Sequence, residues 1–332
     1  GEGGARRWPP GATVLRWSVD GGAAVRPSGR GPAGAPRRRS RAARPSRPMP
    51  FLPLRALPDR PARALADAWL ERLADQLHAP GAQSAEARAV VCRDTLAELL
   101  YPAYAANLDT ALHDAALPLG TRLALAALDP REITLEPEYY ADCDDARFQP
   151  VKPLLWLWYS FDRSPLGGQD VALGVRLRRL LAPLIFRRCG ERFKCFQHVE
   201  FSFGYNMEVG DDVVVHRHVL LDDRGGIVLG NRVSISDYAN VYSHTHSIVE
   251  QRDVTNVPTV LGDGVRVTYH ATVRAGVHVG EQGMVGACAV ATKDVRPYHV
   301  NVGVPAKSIV VKPNAPRDEA WVSPAARERA AG

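Results

Sequence analysis

Apolar residues recur along this chain with two different periods. Between residues 61 and 188 they come three or four apart; from Val209 to Val295 they come six apart. The first spacing is that of one helix face and the second that of a stacked coil. Leu65, Trp69, Leu73 and Leu77 predict an amphipathic helix over 61–78. Val91, Leu96, Leu99 and Leu100 predict helix within 84–116, broken at Pro102. Asp129-Pro130 marks a turn. Residues 130–170 are rich in aromatics (Tyr139, Tyr140, Phe148, Trp156, Trp158, Tyr159, Phe161). There Pro150, Pro153 and Pro165 argue against a long helix. Over 173–188, Leu173, Leu177, Leu180, Leu181, Leu184 and Ile185 form a stripe, with Arg176, Arg179, Arg187 and Arg188 mostly off it, and Gly190 ends it. Such a helix can lie on a membrane surface or plug the end of a β structure. The second reading is preferred, because the helix runs straight into the repeat and an open coil end exposes a strand edge.

The six-residue units begin at Val209, Val215, Leu221, Leu229, Ile235, Val241, Leu261, Val267, Val273, Val279, Val285 and Ala291. Their fifth residues, from Val213 and Val219 to Ala289 and Val295, are never larger than Val. A branched apolar residue leading and a small one four later is the pattern of a three-sided parallel β-helix. The leading side chain fills the bore, and only a small group fits beside the stacked corner. Two units are interrupted, by Ile227-Val228 at a corner and by a 14-residue loop, Ser247 to Val260. The remainder makes four coils of 18 residues, about 19 Å tall at ~4.8 Å per coil, with a partial coil before them near Phe203. The expected fold is mainly β, a parallel β-helix of about four to five coils preceded by a helical region.

Charge divides the chain. The net charge is +6, yet residues 1–50 hold eleven Arg against Glu2 and Asp20, so the remainder is mildly acidic. The boundaries expected are a disordered basic tail (1–55), a helical region (56–128), an aromatic linker with a capping helix (129–194), the β-helix (195–313) and a C-terminal tail (314–332). Met49 offers an alternative natural start. A basic tail can touch nucleic acid or anionic lipid, but with Met49 as the preferred start the tail is upstream sequence read through, so no nucleic acid partner is expected and membrane contact is at most peripheral. No apolar run is long enough to span a bilayer. Five scattered Cys without a CxxC pair fit a reducing cytoplasm.

The chemistry is expected where the repeat breaks, at Ser243-His244-Thr245-His246-Ser247. A rigid scaffold does not need a 14-residue excursion, and such loops usually serve binding or catalysis. His244 and His246 at its base are both candidates for a general base. His218, Tyr238, His270 and Cys288 share the fourth position of successive coils, and His246 and His278 share the sixth. Stacked His could hold a metal, making a carbonic-anhydrase-like hydratase one alternative, although no His pair has the five-residue spacing of such prisms. A non-catalytic scaffold is the other alternative. No metal is expected.

Four segments carry a resemblance: Asp222-Asp223 with Leu229-Gly230-Asn231; the His-bearing coil, its loop and Leu261-Gly262-Asp263; Val285 to Asp294, ending Thr-Lys-Asp; and Gly303-Val304-Pro305-Ala306-Lys307. Over roughly residues 195–312 the chain resembles the hexapeptide-repeat O-acyltransferases of the galactoside, maltose and colanic-acid acetyltransferase type. The resemblance implies a left-handed prism, a homotrimer with sites between subunits, and acetyl-CoA or another acyl-CoA as co-substrate. It implies His246 as the catalytic base, with His244 the alternative. It implies Asp222 and Asp223 as acceptor-binding residues for a sugar, glycan or related small molecule, and Ala287, Thr292, Lys293 and Lys307 as donor contacts. Thr-His-Ser around the base, Arg266 and Tyr269 depart from the sugar enzymes' pattern.

Overall fold

The computed structural model describes residues 60–316, apart from residues 165 and 168. The basic tail, the start at Met49 and the chain beyond residue 316 lie outside the described residues. The first half is helical: Pro61–His78 (α1), Ala85–Leu100 (α2), Leu108–His113 (α3), Leu119–Ala126 (α4), Asp145–Phe148 (α5), Lys152–Arg163 (α6) and Val171–Ile185 (α7). Ser84 starts α2 by accepting the Ala87 N–H at 3.2 Å. In α1 the buried positions are Leu70, Leu73 and Leu77, whereas Leu65 is exposed. The stripe begins late because contact begins at Trp69, which stacks on Phe161 with centroids 6.2 Å apart.

The expectation of no long helix in 130–170 is corrected by α6, which has 12 residues. Its prolines bound it. Pro153 lies in the first turn, where a missing N–H costs nothing, and Pro165 comes after its last residue. Leu154, Leu155, Leu157, Trp158 and Phe161 of this helix are buried.

The second half is a parallel β-helix. The first coil holds Arg188–Cys189 (β1), Lys194–Cys195 (β2) and Glu200–Phe201 (β3); the second Met207–Val209 (β4), Val214–Val215 (β5) and Leu220–Asp222 (β6); the third Ile227–Leu229 (β7), Ser234–Ile235 (β8) and Asn240–Tyr242 (β9). The excursion forms His244–His246 (β10) and Val254–Asn256 (β11). The fourth coil holds Thr259–Leu261 (β12), Arg266–Val267 (β13) and Thr272–Val273 (β14), and the fifth His278–Val279 (β15), Met284–Val285 (β16) and Val290–Ala291 (β17). A partial sixth coil pairs Val295 with Val279 and His299–Val302 (β18) with β16. Lys307–Val311 (β19) then folds back antiparallel on β18. The stack thus has five full coils and part of a sixth, more than the four to five expected.

The leading residues of the units, Val209 to Ala291, are buried, as the bore-filling pattern requires. Corner residues such as Asp212, His218, Tyr238, His270 and Cys288 take φ of 55–60°. That left-handed turn is what lets each strand bend to the next face. One corner carries a ladder: His198, His218, Tyr238 and His270 stack with centroids 4.8–4.9 Å apart.

The first coil has no coil before it, so its outward backbone groups need other partners. Helices α6 and α7 supply them. Arg179 donates to Phe193 O at 2.8 Å and Arg178 to Cys195 O at 3.2 Å. Asp162 accepts the His198 N–H at 2.7 Å. The Tyr159 hydroxyl donates to Phe201 O at 3.3 Å and accepts the Phe201 N–H at 3.1 Å. Arg178 and Asp162 are themselves a buried ion pair. Burial outweighs Arg178's attraction and pushes the Asp162 carboxyl above its ordinary pKa. Gly174 makes room for this pair, since a Cβ there would lie 2.8 Å from the Arg178 guanidinium. Among the described residues no helix is long and apolar enough to cross a membrane.

Arg178→Met strands a buried carboxylate and leaves Cys195 O unpaired. It is expected to cost about 3–5 kcal/mol in urea unfolding, and Arg178→Met with Asp162→Leu less than that. Equal loss in the single and double variants would show that the ion pair does not hold the cap.

Candidate active site

Ser243 ends the third coil fully buried. Its hydroxyl donates to Asp222 O at 2.6 Å and accepts the Gly225 N–H at 2.8 Å. The chain then leaves the prism as a hairpin, not as an irregular loop. Its register pairs His244 with Asn256, Thr245 with Thr255 and His246 with Val254. The excursion therefore begins three residues before Ser247. It returns at Thr259, whose hydroxyl donates to Tyr242 O at 2.7 Å. Gly225 lies beneath the hairpin's base: a Cβ there would come 2.1 Å from Ser243 O and 2.5 Å from Val257 N.

The hairpin is braced from the helical half. Asn256 donates to Asp142 at 2.8 Å, and Arg224 forks onto the same carboxylate at 2.9 and 3.0 Å. The Arg224 guanidinium also lies 4.4 Å from the Tyr140 ring centroid. Burial works against the charge on Asp142, but the bonds from Asn256 and Arg224 hold its carboxyl below the ordinary pKa.

Each histidine of β10 is fixed through Nδ1. His246 Nδ1 lies 2.7 Å from Gln251 O, the carbonyl of the hairpin's own tip. A carbonyl only accepts, so Nδ1 carries the proton and the neutral ring keeps its lone pair on Nε2. His246 is exposed. His244 Nδ1 bonds to the Asp222 carboxylate, whose other oxygen accepts from the Ser202 hydroxyl at 2.6 Å. The two imidazoles lie 5.2 Å apart, nearly perpendicular. The lone pair on His246 Nε2, beside a rigid wall, can take a proton from a hydroxyl.

The expected acceptor carboxylates are separated. Asp222 is buried under His244 and reaches the site through that ring. Asp223 is 0% exposed and braces a corner, accepting the Phe203 N–H at 2.7 Å and the Asn206 N–H at 3.0 Å. Burial pushes its pKa up to about 6, against those backbone bonds. The expected donor contacts lie further along the prism, Ala287, Thr292 and Lys293 after strands of the fifth coil and Lys307 in β19. Ala287, Lys293 and Lys307 are exposed and Thr292 half-buried. The segment before Lys307 is tied to β17 by Val290 N–H to Gly303 O at 3.0 Å and Ala306 N–H to Val290 O at 2.8 Å. Neither lysine forms an ion pair with a described residue. Ser202, Gln251, Asn256, Asp142 and Arg224 escaped the sequence reading: Asp142 lies 82 residues from Arg224 and 114 from Asn256, Ser202 meets Asp222 one coil away, and Gln251 acts through its backbone carbonyl. Among the described residues no three His, Cys, Asp or Glu side chains are grouped to hold a metal ion.

The chain is similar to known acetyltransferases, the family its motifs resemble. It is 27% identical over 139 residues to the galactoside O-acetyltransferase of Escherichia coli (strain K12), covering 41% of this chain and 68% of that one. It spans 55% and 57% of two further relatives, from Schizosaccharomyces pombe and Saccharomyces cerevisiae. Among solved structures, a maltose O-acetyltransferase from Clostridium difficile 630 aligns with 52% of this chain and 91% of its own, at 22% identity and a TM-score of 0.46. A galactoside acetyltransferase in complex with coenzyme A aligns with 52% of this chain and 84% of its own, at 22% identity and 0.43. No family model matches the chain.

Asp223 gives a pH test of the corner. Its folded pKa of about 6 lies above the 3.8 of an unperturbed carboxyl, so the native state holds this proton longer than the unfolded chain. Its contribution to stability is therefore expected to be largest below pH ~4, to fall as pH rises to about 6, and to stay level above. Because Asp162 is raised as well, the test is the difference in urea midpoint, parent minus Asp223→Asn, which should fall from pH 4 to 6 and stay level to pH 7. Parallel profiles would place Asp223 at an ordinary pKa.

Proposed function

We propose that this chain is an acyl-CoA-dependent O-acyltransferase. It transfers an acyl group, acetyl in the simplest case, to a hydroxyl of a sugar, glycan or related small molecule, with His246 as general base. The observation that carries this reading is the Gln251 carbonyl on His246 Nδ1. It fixes the tautomer and leaves Nε2 free to accept a proton. The similarity to acetyltransferases supports the reaction class.

The chain's own groups account for the proton. His246 Nε2 removes it from the acceptor hydroxyl as that oxygen attacks the thioester carbonyl. The carbon–sulfur bond breaks, and the imidazolium returns its proton to the leaving thiolate. The acyl-CoA supplies the activated thioester. Lys293 and Lys307 fit its phosphates, being exposed cations on the last coils without an ion-pair partner among the described residues. Ala287, exposed, and Thr292, next to Lys293 in the chain, are the small residues assigned to the donor in this reading. Asp222 holds His244 next to the base and so shapes the acceptor side. We further propose a homotrimer in which flat prism faces meet in a closed ring and cover the exposed His246.

His246→Ala is expected to lower turnover about 10²–10⁴-fold while leaving acyl-CoA binding intact. His244→Ala should lose less. Unchanged transfer by His246→Ala would overturn the base assignment. Lys293→Ala and Lys307→Ala should each raise the Michaelis constant for acyl-CoA several-fold, about 0.5–1.5 kcal/mol at exposed positions. Light scattering of the full chain should give about three times the monomer mass, and an active monomer would exclude the trimer.

A further inference from the structure

A cleft of about 200 Å³ opens between the helical half and the first coil. Leu155 and Phe201 are its buried floor. Trp156, Leu135 and Pro137 are its apolar walls, and Glu136, Arg163, Glu200 and Ser202 its polar ones. The Trp156 N–H is already spent on Ala127 O at 3.0 Å and the Tyr159 hydroxyl on Phe201, so both rings present carbon to the cleft. Glu136, Glu200 and Arg163 are exposed, with Arg163 and Glu200 3.4 Å apart. The space is smaller than the ~300–1,000 Å³ of pockets for drug-sized ligands. An apolar wall opposite carboxylates and a guanidinium suits one ring with a hydrocarbon face and a fringe of hydroxyls.

Ser202 belongs both to this cleft and to the site. Its hydroxyl bonds to Asp222, and Asp222 holds His244. In the stack Asp222 lies opposite Tyr242, one coil further on, and Ser202 one coil before. The strands that carry the cleft and the histidines are therefore about 10 Å apart along the axis, two coil steps of ~4.8 Å. A single sugar ring does not bridge that distance, whereas two or more linked rings do.

We propose that the cleft is an acceptor subsite for a non-reacting ring of an oligosaccharide, so that the acceptor is an oligomer and not a monosaccharide. This rests on the acyltransferase reading above and names the substrate class of that site. Binding energy from the remote ring positions the reacting hydroxyl at His246. The rim carries two carboxylates and one guanidinium, which favours neutral over anionic sugars.

Two variants test this. Glu136→Gln with Glu200→Gln removes the rim charges and keeps the shape; Glu136→Trp covers the mouth. Both sit at exposed positions; Glu136 also accepts the Tyr140 hydroxyl, a bond that Gln keeps and Trp loses. With maltotetraose, β-1,4-galactotetraose and chitotetraose as probes, saturation-transfer NMR on the parent without donor should show binding to at least one, and both variants should lose it. Acyl transfer to that tetrasaccharide should fall at least about tenfold in kcat/KM, the loss of one charged hydrogen bond. Transfer to the matching monosaccharide should change less than about twofold by the same conversion. Parallel loss for both acceptors, unchanged tetrasaccharide transfer, or no binding of any probe to the parent overturns the proposal. Cleft-dependent binding without acyl transfer in the parent would sustain the subsite and overturn the reaction.

Discussion

In a β-helix the backbone hydrogen bonds run along the axis, from each coil to the next, and this constraint governs the rest of the molecule. Each coil satisfies its neighbour, so the ends alone carry unpaired groups. At the first coil those groups are Phe193 O, Cys195 O, His198 N–H and both polar atoms of Phe201, and each meets a side chain from α6 or α7. The helical half is therefore the end wall of the prism. Its burial of charge, Arg178 with Asp162, is tolerable because both ions also bond to the coil edge. At the last coils β19 takes the same role by pairing with β18.

The same constraint decides how an active site can leave the scaffold. A segment that exits a coil takes its backbone groups with it and must pair them. Here the exit is a hairpin, β10 with β11, and the fourth coil rejoins the third with Thr259 opposite Ile227. The ladder beneath is uninterrupted, so the imidazoles stand on a rigid base. Asp142, Arg224 and Asn256 fix the hairpin's tilt from outside, and Gln251 O fixes the His246 ring from its tip. Such preorganisation matters because a general base must already lie within reach of its proton.

The repeat was legible because bore packing imposes it residue by residue, from Val209 to Ala291. The first coil was legible only in part, as a partial coil near Phe203, for a physical reason. Its fifth positions are Phe193, Val199 and Tyr205, and two of these exceed the small residue that a corner between coils demands. Phe193 has no coil before it and packs edge-on against Phe186, 5.7 Å away, at the end of α7. The cap rewrites the coil it touches and hides the period. The helix α6 was missed for the converse reason: prolines that mark its limits read as breaks. The histidines were legible from the broken repeat, but their partners were not: Asp222 lies one coil back from His244, and His246 is held by a backbone carbonyl, Gln251 O, which no side-chain pattern marks.

Asp222 and Asp223 show how far adjacency can mislead. Read together they suggest a paired acceptor site. Successive residues at the end of a strand point different ways. Asp222 turns to Ser202 and His244, whereas Asp223 turns into the corner and takes backbone N–H groups. Only one carboxylate reaches the histidines, and it does so through an imidazole. That leaves recognition of the acceptor to surfaces the repeat does not supply. The cap is the nearest such surface: Tyr159 satisfies Phe201, and both residues line the cleft. A helix required to close the coil edge thus also offers a wall beside the site. Its exposed rim residues Glu136, Arg163 and Glu200 contribute no side chain to the bore, so the rim can vary without disturbing the core, while Glu136 also meets the hairpin's brace through the Tyr140 hydroxyl.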